Sequence, residues 1–162
     1  MNIGVYPGTF DPITHGHTDI ILRSLQVFDQ VLVAVAPNPI KRPLFELPER
    51  LEMVRLVTKE MPHVEVVSFK GLLVEFVKQH KAHAVIRGLR AISDFEYEFQ
   101  MALVNRKLEG SVETVFLMPS QEYTYLTSSI IKEVATHGGP VTDFVHPEVA
   151  KRVHDRLGRA QG

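Results

Sequence analysis

The sequence predicts an α/β domain with a doubly wound sheet, and two patterns along its 162 residues carry that prediction. Short apolar runs that suit buried strands recur five times, and segments with apolar residues at helical intervals separate them. The five runs are residues 2–6, 31–36, 64–69, 84–86 and 114–118. Because parallel strands are joined by helical crossovers of one hand, the alternation predicts a single-domain Rossmann-like sheet of about five parallel strands with C-terminal helices.

The composition limits the classes of partner and of compartment. With 162 residues, of which 44% are hydrophobic, the chain is long enough for one well-buried core and too short for two comfortable domains. The formal charge is −1 and no polybasic run is present, which argues against general binding to nucleic acid or to a membrane surface. Cysteine is absent, which excludes disulfides and thiol chemistry. No signal-peptide pattern or membrane-length apolar run is present, so we expect a cytoplasmic protein.

The first strand leads into a loop, residues 6–17, whose sequence YPGTFDPITHGH is dense in special residues. Gly8 and Gly16 permit a close approach of the backbone to a ligand, while prolines stiffen the turn and threonines and histidines supply donors. Apolar residues then recur at helical intervals, so the loop meets a helix N-terminus, which favours anions. The loop is therefore predicted to bind phosphate. The alternatives are an ordinary turn, or a zinc site on His15 and His17, for which further ligands are scattered.

Cations follow two other predicted strands. A loop with three prolines carries Lys41 and Arg42 after the second strand, and Arg87-Gly88-Leu89-Arg90 follows the fourth. Ligands of open α/β sheets collect at the carboxyl ends of the strands, and arginine presents a rigid donor fork to phosphate. The segment of Arg87 and Arg90 is therefore predicted to contact phosphate. An exposed loop cation such as Lys41 is usually only solvated, so its position alone leaves both a ligand contact and a solvated charge open.

The helical segments are marked by their end signals and apolar stripes. They run from Pro48 to Pro62, around Leu72 to Val77, from Ser93 to about Leu108, and from Pro147 to Leu157. Pro48 suits the start of the first of these segments, and the Ser93-x-x-Glu96 capping box marks the start of the third. The third helix carries Phe95, Phe99, Leu103 and Lys107 along one side. The last helix is expected to pack on the sheet or on a neighbouring subunit.

Two acidic residues near the start of the third helix need partners. Asp94 and Glu98 lie four residues apart on one face, and like charges at that spacing disfavour an isolated helix. We therefore expect them to meet cations or a ligand. A salt bridge from Asp94 to Arg90 or Arg106 is the structural alternative to ligand contact.

A group of hydroxyl side chains follows the fifth strand. A polar loop with two tyrosines, residues 119–126, leads to Thr127-Ser128-Ser129 at the start of another helix. Capping a helix N-terminus needs only one hydroxyl. The excess supports contact with a bound nucleotide.

Taken together, these motifs resemble those of the bacterial phosphopantetheine adenylyltransferases, within the nucleotidyltransferase superfamily that carries a (Thr/His)-x-Gly-His motif. The matching segments, in the family's order, are residues 8–17 with Thr14-x-Gly16-His17, Lys41, residues 86–90, residues 94–98 and residues 126–129. The resemblance runs from Met1 to about Leu157, which indicates one nucleotidyltransferase domain, residues 1–162. Thr127 stands where relatives commonly carry serine, and Tyr123 where some carry tryptophan.

The resemblance implies a reaction and its partners. The reaction is reversible transfer of the adenylyl group from ATP to 4′-phosphopantetheine, giving dephospho-CoA and pyrophosphate in coenzyme A biosynthesis. The resemblance also implies Mg²⁺ held through the ATP phosphates with no directly assigned residue, a homohexamer, and CoA as a feedback ligand.

The family's functional positions carry over residue by residue. The resemblance makes His17 the transition-state stabiliser, with Lys41 and Arg87 as further catalytic residues. The implied contacts of 4′-phosphopantetheine are Thr9, Lys41, Leu73 and Arg87. The implied contacts of ATP are Thr9, Phe10, His17, Gly88, Leu89, Arg90, Glu98, Tyr123, Thr124, Tyr125, Leu126, Thr127, Ser128 and Ser129.

A phosphate acceptor is already a nucleophile, so we expect direct in-line attack on the α-phosphorus of ATP without a general base or covalent intermediate. At a helix N-terminus, His17 is expected to be mainly neutral until the nucleotide binds. Two alternatives stay open: an adenylyl or cytidylyl transferase with another phosphate-bearing acceptor, and a non-catalytic nucleotide-binding module. The P-loop lysine pattern and Gly-x-Gly-x-x-Gly are absent, so kinase and dehydrogenase activities have little support.

Overall fold

The computed structural model of the chain describes residues 1–37, 42–90 and 95–158. Within these ranges, five parallel strands form one sheet in the order β3-β2-β1-β4-β5. The strands are β1 Ile3–Gly8, β2 Gln30–Val35, β3 Val64–Ser68, β4 Ala84–Gly88 and β5 Glu113–Leu117. The predicted single α/β domain with a five-stranded parallel sheet is therefore confirmed.

Helices connect the strands and complete the chain. They are α1 His15–Ser24, α2 Leu47–Thr58, α3 Leu73–Gln79, α4 Phe95–Leu108, α5 Ser128–Thr136 and α6 Pro147–Leu157, with a short 3₁₀ turn at Gln121–Tyr123. The predicted end of α4 and both ends of α6 agree with the structure. The capping box at Ser93 and the neighbouring Asp94 lie outside the described residues. No helix in the described ranges has the length and apolar character needed to cross a membrane.

Two strands extend further at their carboxyl ends than the sequence pattern predicted. We predicted that the fourth strand would end at Ile86, but β4 includes Arg87 and Gly88, which pair with Phe116 and Leu117 of β5. Strand β1 likewise continues to Gly8. Backbone pairing with a neighbouring strand sets these ends, and apolar side chains do not mark it. Arg87 is therefore fixed by the sheet and is not a loop residue.

The sheet order brings two distant loops together. Strand β1 is central and pairs with β2 on one side and β4 on the other, so the chain reverses its direction of winding between β1 and β4. The loops that leave neighbouring strands on either side of such a point diverge and leave a crevice at the carboxyl ends. The loop after β1 therefore faces the end of β4.

Alternate residues of the central strands fill two cores on opposite faces of the sheet. Val31, Val33 and Val35 pack in one cluster, whereas Leu32 and Ala34 pack in the other. Helices α1, α2, α5 and α6 contribute to the first cluster and α3 to the second. Burial on both faces explains the continuous apolar run of β2. Helix α6 packs in the same cluster as the sheet, one of the two positions expected for it.

Helix α4 differs from the other helices because none of its residues is buried. Phe95, Phe99 and Leu103 follow one another along a single side, as predicted, and each is nearly half exposed. Apolar stripes on helices usually face a core or a partner. Phe95 also contacts the Phe116 ring of β5, with centroids 6.5 Å apart, so the stripe is partly covered by the sheet and partly open to solvent.

Candidate active site

A cleft of about 730 Å³, including its open mouth, lies at the carboxyl ends of β1 and β4. Four of the segments that the sequence predicted to bind a ligand contribute to its walls. The lining residues are Tyr6, Pro7, Gly8, Thr9, Thr14, Gly16, His17, Ile20, Arg87, Gly88, Arg90, Glu98, Pro119, Tyr123 and Leu126. The structure therefore brings together eight of the predicted contact residues: Thr9, His17, Arg87, Gly88, Arg90, Glu98, Tyr123 and Leu126.

The remaining predicted contact residues lie elsewhere. Phe10 is buried beneath the cleft, and Leu73 lines a second cavity. Leu89, Thr124, Tyr125 and Thr127 do not line the cleft but are sequence neighbours of residues that do, and Ser128 and Ser129 lie two and three positions after Leu126 of the cleft wall. Lys41 lies outside the described residues. The cleft wall therefore contains some, but not all, of the residues that were predicted to contact the two substrates.

The imidazole of His17 is fixed by a capping box at the start of α1. The Thr14 side chain accepts a hydrogen bond from the backbone N–H of His17, and the Thr14 backbone N–H donates to Nδ1 of His17 over 3.0 Å. A nitrogen that accepts an N–H carries no proton, so the neutral ring carries its proton on Nε2. Histidine here takes the position that glutamate or glutamine holds in the usual capping box. The backbone therefore selects the tautomer.

The surroundings keep the His17 ring uncharged. Burial and the positive charges of Arg90 and Arg87 lower the pKa of His17 to about 3. The Phe10 ring packs edge-on against the imidazole, with centroids 4.9 Å apart. His17 is thus held as a neutral hydrogen-bond donor in a cleft rich in positive charge, which is the protonation state expected for the free protein.

Arg87 of the cleft is held by three hydrogen bonds of its guanidinium. Its Nε donates to Oε2 of Glu98 over 2.8 Å, its Nη2 donates to Oε1 of the same carboxylate, and its Nη1 contacts the Pro7 carbonyl at 3.3 Å. Burial alone would lower the pKa of Arg87, but the hydrogen bonds and charge of Glu98 outweigh it and raise that pKa. Glu98 therefore meets a cation, one of the outcomes expected for it.

The segment around α5 supplies another wall and a helix N-terminus. Thr127 caps α5 by accepting from the Ile130 N–H at 3.1 Å, and Ser128 Oγ donates to the Pro12 carbonyl over 2.8 Å. Ser128 is therefore not an excess hydroxyl, as we expected from helix capping alone, because its bond ties α5 to the loop after β1. Ser129 is exposed. Arg90 reaches the same segment through the Leu126 carbonyl, at 3.5 Å.

A second cavity of about 470 Å³ adjoins the cleft and shares Arg87 and Glu98 with it. Its other lining residues are Leu73, Val85, Tyr97, Met101, Ala102, Asn105 and Thr114. The walls are largely apolar, with an amide and a phenol for hydrogen bonds. Of these seven residues, only Leu73 was predicted from the sequence to contact a ligand. Tyr97, Met101 and Asn105 recur at intervals of four on α4, and that spacing was the available signal.

Comparisons with known proteins identify the family. Residues 5–134 match the cytidylyltransferase-like family. A phosphopantetheine adenylyltransferase from Caldanaerobacter subterraneus subsp. tengcongensis is 54% identical over 160 residues, which span 99% of this chain and 100% of the relative.

Two solved structures share the fold. A Vibrio parahaemolyticus protein, described as a candidate nicotinate-nucleotide adenylyltransferase, superposes with a TM-score of 0.71 at 17% identity, over 94% of this chain and 99% of the other. The lipopolysaccharide core biosynthesis protein from Thermoplasma volcanium GSS1 superposes with a TM-score of 0.58 at 22% identity, over 75% of this chain and 99% of the other. With the match over its full length to a named relative, the chain belongs to the cytidylyltransferase-like nucleotidyltransferases and, within them, to the phosphopantetheine adenylyltransferase family.

Proposed function

We propose that the chain transfers the adenylyl group of ATP to 4′-phosphopantetheine, giving dephospho-CoA and pyrophosphate. The full-length relative at 54% identity carries this enzyme's name. The observation in the structure that most supports the proposal is the meeting of His17, Arg87 and Arg90 in one cleft beside an adjoining, largely apolar cavity. A transferase that joins a nucleotide to a long, mostly uncharged phosphate ester needs both compartments.

The reaction needs no covalent enzyme intermediate. An oxygen of the acceptor phosphate forms a new bond to the α-phosphorus of ATP, and the bond between that phosphorus and the bridging oxygen to the β-phosphorus breaks. Pyrophosphate departs with the electron pair. Because the acceptor phosphate is already ionised, no proton must be removed, and positioning and charge stabilisation dominate the catalysis.

We assign His17 to the α-phosphoryl oxygens. Its Nδ1 is occupied by the Thr14 N–H, so the Nε2–H is the donor that remains for a ligand. A fixed neutral donor costs no reorganisation as negative charge shifts at the α-phosphorus. One such preorganised donor typically contributes about 3 kcal/mol to the stabilisation of a transition state. The N-terminus of α1 adds a partial positive charge behind it.

The acceptor phosphate is assigned to Arg87, Thr9 and Lys41. Arg87 lies between the cleft and the second cavity, so a phosphate on its guanidinium would leave the pantetheine arm beside Leu73 and Asn105. The apolar walls suit the methyl groups and methylenes of that arm, and Asn105 offers an amide to its peptide groups.

The nucleotide is assigned to the opposite wall. We propose that residues 88–90 and 123–129 contact ATP, together with Phe10 and Glu98, with the N-terminus of α5 directed at the phosphates. Mg²⁺, bound to the triphosphate, would neutralise charge on the departing pyrophosphate. Among the described residues, no group of three histidine, aspartate or glutamate side chains could hold a metal, so the proposal leaves the ion on the phosphate oxygens.

We further propose that the enzyme is a cytoplasmic homohexamer that binds CoA as a feedback ligand. The exposed apolar stripe of α4, Phe95, Phe99 and Leu103, supports contact between copies of the chain, as in a homohexamer. Sedimentation velocity tests this directly, since a monomeric mass at micromolar concentration would contradict the hexamer. Consumption of ATP fits a cytoplasmic enzyme. CoA carries both the pantetheine arm and the adenylyl group of the product, so it would compete for the same cleft as a feedback ligand.

The deciding experiment measures pyrophosphate release from ATP and Mg²⁺ with three acceptors. These are 4′-phosphopantetheine, unphosphorylated pantetheine and nicotinamide mononucleotide. Release with 4′-phosphopantetheine alone would support the assignment and the need for the acceptor phosphate. Pyrophosphate release only with nicotinamide mononucleotide would show that the acceptor is a different phosphate ester. Tight ATP binding without release from any acceptor would favour a non-catalytic nucleotide-binding module.

A further inference from the structure

Arg50 of α2 is fully buried, with 1% of its surface exposed, and is the largest side chain in the interior to be so enclosed. Buried arginines usually pair with a carboxylate. In the described ranges, 1–37, 42–90 and 95–158, no carboxylate forms an ion pair with Arg50. Its charge is satisfied by three backbone carbonyls instead.

The three carbonyls belong to three different segments. Nε of Arg50 donates to the Phe45 carbonyl over 3.0 Å, and Nη1 donates to the carbonyls of Thr9 and Ala36, each over 2.7 Å. Thr9 belongs to the loop after β1. Ala36 and Phe45 lie on either side of residues 38–41. One guanidinium therefore joins both flanks of that segment to the loop after β1.

A second buried residue strengthens the same connection. The carboxylate of Asp11, 4% exposed, accepts from the backbone N–H groups of Leu44 and Phe45 at 2.8 and 2.9 Å. Lys132 of α5 donates to the same carboxylate over 3.2 Å. On the other flank, the Ala36 N–H donates to the Gly8 carbonyl over 2.9 Å. Asp11 and Arg50 thus hold Phe45 by its N–H and its carbonyl respectively.

Charge-assisted hydrogen bonds such as these are shorter and stronger than neutral ones, and the rigid fork of arginine suits several carbonyls better than the single ammonium of lysine. The bonds connect Thr9 to the two flanks of Lys41 and touch no residue of the second cavity. Stability alone would not require a buried charge to converge on those particular carbonyls.

We propose that Arg50 and Asp11 are positioning residues that fix the loop after β1, and with it Thr9, against Ala36 and Phe45, and thereby place Thr9 for the acceptor phosphate. This inference rests on the proposed function, which assigns Thr9 to that phosphate. Neither Arg50 nor Asp11 touches the reacting atoms. Their effect should be larger on the acceptor than on ATP, because Arg50 bonds directly to Thr9, whereas α5 meets this loop further along, at Asp11 and Pro12.

The test compares steady-state kinetics of Arg50→Lys with those of the unaltered chain, using ATP, Mg²⁺ and 4′-phosphopantetheine. We expect the KM for 4′-phosphopantetheine to rise at least tenfold, and at least five times more than the KM for ATP. Arg55→Lys is the matched control, because Arg55 lies on the same helix but is exposed. It should leave both KM values within twofold.

Asp11→Asn is the second variant and should shift the same KM ratio in the same direction. Circular dichroism at the assay temperature reports whether each variant is folded. Equal changes in the two KM values, a lowered melting temperature with unchanged kinetics, or unfolding of both variants would each overturn the inference. Absence of release by the unaltered chain would instead overturn the proposed function.

Discussion

Arg87 and Glu98 form a two-point ion pair at the wall shared by the cleft and the second cavity, with Nε to Oε2 at 2.8 Å. A carboxylate and a phosphate present similar oxygens to a guanidinium. In the free protein, Glu98 therefore occupies the donors that the acceptor phosphate is proposed to use. Binding of the acceptor must either share or displace this pair.

A double-mutant cycle on Arg87 and Glu98 tests that relationship. Loss of a charge-assisted contact costs about 2–3 kcal/mol, so Arg87→Gln should raise the KM for 4′-phosphopantetheine roughly hundredfold. Glu98→Gln should change it less, and the double variant should be no worse than Arg87→Gln, because Glu98 acts on the acceptor through Arg87. The proposed contact of Glu98 with ATP should raise the KM for ATP separately. Additive effects of the two substitutions on the KM for 4′-phosphopantetheine would contradict an action of Glu98 through Arg87.

Replacement of His17 should impair chemistry more than binding. We expect His17→Ala to lower kcat by two to three orders of magnitude, about 3–4 kcal/mol of transition-state stabilisation, with a small change in either KM. His15→Ala is the control, since that neighbouring ring contacts Tyr123 and does not line the cleft. Pyrophosphate release gives both constants. A loss confined to KM would contradict the assignment.

The protonation of His17 is expected to respond to the nucleotide. In the free protein, ¹⁵N NMR should show an unprotonated Nδ1 and a protonated Nε2, with no titration between pH 5 and 8, since the pKa of His17 is lowered to about 3. Phosphate oxygens beside the ring should raise that pKa when ATP binds. The same pKa with and without ATP would contradict direct contact with the phosphates.

The lowered pKa of His17 also predicts how stability depends on pH. Between about 3 and the ordinary value of 6.5, the unfolded chain binds a proton at this position that the folded chain does not. Stability should therefore fall as the pH drops from 6.5 towards 3. Urea unfolding at pH 7 and pH 5 should show a larger loss for the unaltered chain than for His17→Gln, which keeps a capping-box residue. If both proteins lose the same free energy of unfolding between pH 7 and pH 5, the group that binds the extra proton on unfolding is not His17.

Gly8 is expected to tolerate no side chain. A Cβ at Gly8 would lie 2.9 Å from Cε2 of Phe10, which is 2% exposed and packs against His17. Gly8→Ala should therefore lower the free energy of unfolding by about 1–3 kcal/mol and reduce kcat at least tenfold by displacing both rings. Gly110→Ala is the matched control, since only a backbone oxygen at 4.0 Å faces its added methyl group. Denaturant titration and pyrophosphate release measure the two effects.

The sequence predicted the sheet because its strands are buried on both faces, which leaves an unbroken apolar run such as that of β2. It also predicted the ligand segments, because strand ends, glycines and cations mark them locally. It did not predict Arg50 as a central residue, since a buried arginine and a solvated arginine look alike along the chain. The pairing of Arg87 with Glu98 depends on how α4 crosses the sheet, and the bond from Ser128 to Pro12 on how α5 packs. Neither has a local signal.

The β1–β4 pairing also bears on how the protein acquires its activity during synthesis. Pro7 and Arg87, which meet in the cleft, are 80 residues apart in the chain. The strands β1, β2 and β3 can associate through nearer neighbours, but contacts across such a long separation form late, after most loop-closure entropy has been spent. A nascent chain released before β4 would hold the His17 loop without the walls that complete the cleft. Nucleotide affinity would therefore report the completion of folding.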